Sequence, residues 1–386
     1  MTSKERVRAA IAGEPVDRIP LGFYAVDCDT IARVIGHKTY VRDKIASQIA
    51  FWEGRRDEVV ESYKHDTVEF YRKLDCVDLI TFKEAPVVPP AGYRPEHPPR
   101  QRDAGTWDDR EGRIFKVSRL SNELLCVHDP TEPDPEQFTE EQFREFDPAS
   151  YHPPDPSVFE ACDYLIEQLG ATRYIMGIAP ARAGFVQVGG RVTGMMMYAL
   201  RPQVVRAANR RYVAMDIADD QYYVRPRQDG VLWEQDTGGT GGPLLRPEQY
   251  RDLCLPFVKE RVAALKRRGQ QVVTHNCGNN LPLMDMLIEA GLDCYQSLQT
   301  NAGMELGYLT ERWGRQLSFW GGVPVELLVS GSPEEVRRSV REAMERGARG
   351  RGFILGPSHS IAYGTKYDNF MAMLDEHQRQ ADRVAP

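Results

Sequence analysis

A chain of 386 residues with 41% hydrophobic and 27% charged residues is long enough to bury a large core as a single α/β domain or two smaller ones. Its net charge of −7 excludes a basic nucleic-acid footprint, and no apolar run is long enough to span a membrane. Its seven cysteines are odd in number and scattered, and the first residues are charged and amphipathic, which predicts reduced thiols and a cytoplasmic protein.

In chain order, Thr2–Ala12 predicts a short helix capped by Ser3, and Ile19–Tyr24 a first strand. A charge-rich helical region from about Tyr40 to Lys73 leads to a second strand, Val77–Phe82. Residues 83–156 hold half of the chain's 26 prolines and cannot be regular helix. Within them TWDDREGRIFKVSRL predicts a hairpin turning at Asp108–Gly112, with Trp107, Ile114, Phe115 and Val117 as anchors. The segment reads as an insertion or lid. Beyond it, strands are expected at Tyr174–Pro180, Gly230–Asp236, from Gln271, from Cys294, at Leu317–Val323 and at Gly352–Ser358, separated by helices. Met195–Met197 reads as helix core, and the other histidines, His377 among them, as solvated surface.

Eight strands near residues 19, 77, 174, 230, 271, 294, 317 and 352 alternate with helices, the arithmetic of one (β/α)₈ TIM barrel over residues 1–386, with a proline-rich insertion after the second strand. A doubly wound sheet is the alternative, but no Gly-x-Gly-x-x-Gly turn follows the first strand. TGGTGGP reads as a flexible loop.

In a barrel the polar residues at the C-terminal strand ends are the site candidates. The fourth strand ends in Glu234-Gln235-Asp236, the fifth in His275-Asn276-Cys277, the eighth in Gly356-Pro357-Ser358-His359, and the sixth adds Gln296 and Gln299. His275 and Cys277, two apart, project from the same face of a strand. They are zinc-type donors, or else a pocket histidine beside a small buried thiol. His275, Cys277, His359 and Glu234 form a candidate metal set. Glu234 and Asp236 are candidate proton donors, or else a loop ion pair or helix cap. Gln296, Gln299 and Ser358 are candidate substrate contacts.

The stretches SKERVRAAIAGEPVDRIPL, GGPLLRPEQYRDLCLPFVK, THNCGNN, FWGGVPVELLVSGSPEEVRRSV and RGFILGPSHSIAYGTKYDNFMAM together resemble the uroporphyrinogen decarboxylase superfamily. The resemblance implies a (β/α)₈ barrel. It also implies one of two chemistries. The true decarboxylases grip a polycarboxylate with an arginine-rich N-terminal motif; here that place reads GFYAVDCDTIARV, without the arginines. The corrinoid-dependent methyltransferase branch carries the His-x-Cys pair as zinc ligands with a later ligand near the last strand. That ligand is a cysteine in the coenzyme M enzymes and matches His359 here. This branch implies zinc, a small methylated substrate of the methoxy or methylamine type, and a corrinoid (cobalamin) on a separate protein, since no Asp-x-His-x-x-Gly cobalamin signature is present. A homodimer is an open expectation. The alternatives are a metal-free decarboxylase, for which Arg182 and Arg191 are the arginines on offer, and a non-catalytic corrinoid- or tetrapyrrole-binding protein.

Overall fold

The computed structural model describes residues 1–144, 146–148 and 151–381. Seven parallel strands form one curled sheet in chain order. They are β1 (Leu79–Thr81), β2 (Tyr174–Ile178), β3 (Gly230–Glu234), β4 (Gln271–His275), β5 (Cys294–Gln296), β6 (Ser318–Val323) and β7 (Phe353–Pro357).

The expected first strand, residues 19–24, is not a regular strand. It makes isolated parallel bridges instead, Leu21 to Leu355 in β7 and Gly22 to Leu79 in β1. Gly22 N donates to Leu355 O (3.0 Å), Leu355 N to Pro20 O (2.9 Å), and Asp78 N to Leu21 O (2.8 Å). The segment therefore bonds to both edges of the sheet. Pro20 has no N–H to extend a ladder, which limits the pairing to bridges.

Alternation along the strands separates two cores. Leu79, Tyr174, Met176, Leu232, Val273, Cys294, Trp320 and Ile354 pack together inside the curl with Val7, Ala10 and Ile11 of the N-terminal helix. Their neighbours Ile80, Ile175, Val231, Trp233, Val272, Tyr295, Phe319 and Leu355 face the surrounding helices. The same alternation carries on to Glu234, His275 and Gln296, each two residues beyond an inward side chain. Polar groups thus stand above an apolar floor.

The N-terminal helix, Ser3–Ala12, closes the other end. Its cap is Thr2, not Ser3. The Thr2 hydroxyl accepts from Glu5 N (3.2 Å) while Glu5 accepts from Thr2 N (2.8 Å). A carboxylate just before each of three strands reaches across to a neighbouring segment: Asp78 accepts from Leu21 N, Asp229 from Ile175 N and Asp293 from Val272 N. Asp78, fully buried, also takes Arg6 (2.7 Å) and Arg18 (2.9 Å), tying the helix and the bridge segment to β1.

Other expectations need correction. The region 40–73 is two helices, Lys44–Trp52 and Arg56–Lys73, parted where Gly54 takes φ +74°. TGGTGGP forms a two-stranded turn pairing Gly238–Gly239 with Gly242–Pro243. His377 is fully buried, with Nε2 2.8 Å from Ile19 O, because the last helix, Tyr367–Ala381, lays one face on the bridge segment. Met197 is buried, but Met196 is exposed.

Between β1 and β2 lies an antiparallel four-stranded sheet of Arg100–Asp103, Thr106–Asp108, Ile114–Ser118 and Glu123–His128. The hairpin turning at 109–113 is present. Trp107 and Phe115 pack on Trp52, with ring centroids 6.2 and 5.7 Å away, and Lys44 pairs with Glu123. Glu145, Ala149 and Ser150, within the expected insertion, and residues 382–386 lie outside the described residues. Among the described residues, no helix is long and apolar enough to cross a membrane.

Because Asp78 neutralises a buried arginine, Asp78→Ala should lower the unfolding free energy by on the order of 3 kcal/mol. Asp17, Arg6's other partner, is half open to solvent, and Asp17→Ala should cost under about 1 kcal/mol. Urea titrations of both variants check the contrast.

Candidate metal centre

Parallel pairing fixes the site. His275 at the end of β4 is in register with Glu234 of β3 on one side and Gln296 of β5 on the other. Beyond His275 the chain leaves the sheet. Asn276 N still donates to Gln296 O (3.2 Å), and Gly278 turns the loop with φ +77°. A Cβ on Gly278 would come within 2.5 Å of the Gly238 backbone, so the turn needs both the left-handed conformation and the missing side chain. Asn276 and Asn280, both fully buried, bond to Thr237 and pin this loop to the one after β3.

The result is a compact cluster. Cys277 Sγ lies 3.1 Å from His275 Nε2 and 3.2 Å from His359 Nε2. The three ligand-type atoms lie within 4.8 Å of one another, the one such group among the described residues. Gln296 Oε1 bonds to His275 Nδ1, and Ser360 Oγ lies 2.9 Å from His359 Nδ1. An amide oxygen only accepts, so Nδ1 of His275 carries the proton and its Nε2 lone pair faces the cluster. Burial lowers the pKa of both imidazoles, that of His359 to about 4 with His275 adding repulsion. Both are neutral at pH 7. Burial, then the neighbouring Asp236, pushes the Cys277 thiol up to about 12. Two neutral imidazoles and a thiol with Nε2 and Sγ converging fit a soft or borderline divalent metal, which would displace the thiol proton.

Glu234 is not in this cluster. Its carboxylate accepts from Tyr24 Oη (2.6 Å) and pairs with Lys83. Burial raises its pKa, but Lys83 and the Tyr24 hydroxyl outweigh that and hold it below the usual range. It is therefore ionised at neutral pH and is not a proton donor there. Asp236 stands at the rim with an exposed side chain and a left-handed backbone, φ +39°. Its Oδ1 accepts from Cys277 N (3.1 Å) and lies 3.8 Å from His275 Nε2. Gln299 Oε1 accepts from Gly278 N (2.6 Å), so it braces the loop. Ser358 is buried with its hydroxyl accepting from Val325 N (3.0 Å), committed to the start of the helix Val325–Ser330 that follows β6. Gln296 is fully buried and its Nε2 has no partner, which leaves an amide group with two N–H donors free within the site. Arg182 is held by Asp216 and Asp219, and Arg191 is exposed.

Tyr24 and Lys83 are among the site residues that escaped the sequence reading. Tyr24 stacks on His275 at 3.8 Å between centroids and meets His359 edge-on at 5.5 Å. Lys83 sits 5.0 Å from the Tyr24 ring. Both follow the C-terminal ends of staves, Tyr24 after the bridge segment and Lys83 after β1, so the rule that found Glu234 and His275 would have found them. A cavity of about 590 Å³ opens beside Glu234 and Asp236, walled by Phe185, Tyr212 and Met215 with Arg182 at its edge.

Residues 229–380 match the family model of uroporphyrinogen decarboxylase (URO-D). This matched segment contains His275, Cys277 and His359. A methyltransferase from Methanosarcina mazei has the same overall fold, with a TM-score of 0.66 over 98% of this chain and 99% of that one at 16% identity. A Xaa-Pro dipeptidase with bound methionine in the active site (TM-score 0.31, 17% identity, 59% of each chain) and the A. niger ochratoxinase (0.26, 13%, 57% of this chain and 56% of that one) resemble the chain too weakly to bear on it. No curated protein matches the chain in sequence.

Gly278→Ala meets both strain and backbone contact and should cost roughly 2 kcal/mol or more. Gly364→Ala, at φ +87° with open space around its Cβ position, should cost about 1 kcal/mol. Denaturant unfolding of the pair separates conformational strain from steric contact.

A buried acid below the mouth gives a pH dependence. Glu84, fully buried, accepts from Val26 N (2.6 Å) and Tyr71 Oη (3.1 Å). Burial raises its pKa to about 7 against the pull of Arg42. The folded state thus holds this proton more tightly than the unfolded chain. Glu84's contribution to stability is full below about pH 4.5 and is lost as pH rises through about 7. Unfolding free energy measured from pH 5 to 8 should decline in the parent and decline less steeply in Glu84→Gln.

Proposed function

We propose that this protein is a zinc-dependent methyltransferase that moves a methyl group between a small methoxy- or methylamine-type compound and a corrinoid carried by a separate protein. The observation that supports it is the convergence of His275 Nε2, Cys277 Sγ and His359 Nε2 within 4.8 Å at the polar end of the sheet. The resemblance of the whole chain in fold to a methyltransferase agrees with it.

Zinc held by these three groups would supply Lewis acidity to the methylated heteroatom, whose departure is otherwise costly because it leaves as a strong base. The protein's own groups do the rest. Gln296 holds the His275 ring in the ligating tautomer, and Tyr24 caps its face. Glu234, ionised, orients the Lys83 ammonium and the Tyr24 hydroxyl at the mouth. This revises the sequence reading, in which Glu234 served as a ligand or an acid. Asp236 faces the cavity beside the cluster and is the carboxylate placed to contact substrate. Phe185, Tyr212 and Met215 would shed water from the substrate's body. In this reading the corrinoid, as donor or acceptor, is carried by a separate protein; the lack of an Asp-x-His-x-x-Gly cobalamin signature in this sequence supports that. The chain acts as one domain in this reading, with residues 83–156, propped on Trp52, as a lid near the mouth.

Elemental mass spectrometry of the purified protein tests this. About one zinc per chain is expected, lost in the His275→Ala/Cys277→Ser double variant. Gln296→Ala should weaken metal affinity by about 10- to 100-fold, since it removes the group that orients a ligand. Methyl transfer to or from a cobalamin protein should fall with the metal. Protein free of metal, or a double variant that keeps both metal and transfer, would sink the proposal and favour a metal-free decarboxylase or a binding protein.

A further inference from the structure

Ser297 is the first residue after β5, fully buried, with φ +90°. A serine rarely adopts this conformation, and here the strain has a geometric result. In a continuing strand, Gln296 and Ser297 would point to opposite faces of the sheet. The left-handed turn at 297 instead lets Gln296, Ser297 and Gln299 all reach the end of β4 and the loop that follows it. Gln296 Oε1 bonds to His275 Nδ1, Ser297 Oγ lies 3.7 Å from Cys277 Sγ, and Gln299 Oε1 accepts from Gly278 N at 2.6 Å. The polar groups around the sulfur include the two imidazole nitrogens that converge with it, the Asp236 carboxylate and the Ser297 hydroxyl. The imidazoles belong to the ligand cluster and a carboxylate can only accept, so the Ser297 hydroxyl is the one of these that can donate to an ionised sulfur from outside the cluster.

We propose that Ser297 is a positioning residue for Cys277. Its hydroxyl donates to Sγ, fixes the sulfur between His275 and His359, and takes up part of the charge the sulfur carries when ionised or bound to metal. The metal-bound half of this role rests on the zinc reading; the hydrogen bond to sulfur does not. A donor to a charged sulfur stabilises it where an unassisted buried thiolate would be poorly solvated. The strained backbone is retained because a relaxed strand end would aim the hydroxyl away.

Two variants separate this role from that of a turn residue. Ser297→Ala removes the hydroxyl and keeps the strain; Ser297→Gly removes the hydroxyl and relieves it. The first readout is the rate of Cys277 alkylation by iodoacetamide in metal-free protein at fixed pH, followed by peptide mass spectrometry. Both variants should react roughly threefold or more slowly, because losing the donor lowers the thiolate fraction more than it raises thiolate nucleophilicity. The second is the sulfur-to-metal charge-transfer band of the cobalt(II)-loaded protein, which should move to longer wavelength in both. The glycine variant alone should regain thermal stability over the alanine one. If Ser297→Gly matches the parent in alkylation rate and band position, the hydroxyl does nothing for the sulfur and the proposal is overturned. If the parent takes up no cobalt, the zinc reading fails, and the alkylation rates alone decide the role of Ser297. Should the alanine variant not fold, the glycine variant carries the test.

Discussion

The register of β4 between β3 and β5 is the constraint on which the site depends. His275 is opposite Glu234 on one side and Gln296 on the other, and each stands two residues beyond an apolar side chain inside the curl. A slip of β4 by one residue would turn His275 outward into the helices and leave Glu234 and Gln296 without it between them. That register is held by the inward packing of Leu232, Val273 and Cys294 below, and by the carboxylates of Asp229 and Asp293, which tie neighbouring strands at their starts.

Above this floor the polar groups are buried, and burial decides their states. Unpaired charge would be costly, so His275 and His359 are neutral and Cys277 keeps its proton. Glu234 stays charged only because Lys83 and Tyr24 come with it. The same desolvation that holds two imidazoles neutral leaves their lone pairs available, and so prepares the cluster to accept a cation. Strain concentrates in the same place: Asp236 and Ser297, two of the few non-glycine residues with positive φ, both lie next to the cluster.

The ring is closed by a short segment and not by a regular strand. Residues 20–22 bond to both β7 and β1, and Asp78 gathers Arg6, Arg18 and Leu21 N at that seam. The same segment leads directly to Tyr24. The seam that closes the sheet also sets the aromatic ring on His275. His377, which looked like a surface residue, bonds to Ile19 O and belongs to this seam as well.

Much of this was legible in the chain. Seven of the eight expected strands came from apolar runs bounded by turn residues, and His275, Cys277 and His359 came from their places at strand ends. Local pattern sufficed because alternation and strand termini are properties of short segments. What the pattern could not supply was partnership. Whether residues 19–24 make a ladder depends on the edges they meet, and Pro20 limits them to bridges. Whether Glu234 is a ligand or the counter-ion of Lys83 depends on a residue 151 positions away in the chain. Whether Ser297 reaches the sulfur depends on a backbone conformation its neighbours impose. Which residues stand at the mouth can be read from the order of residues along the chain, because a strand end is a local feature. Which of them converge and which are spent on one another follows from the folded arrangement, because it is set by distances of a few ångströms between segments far apart in the chain.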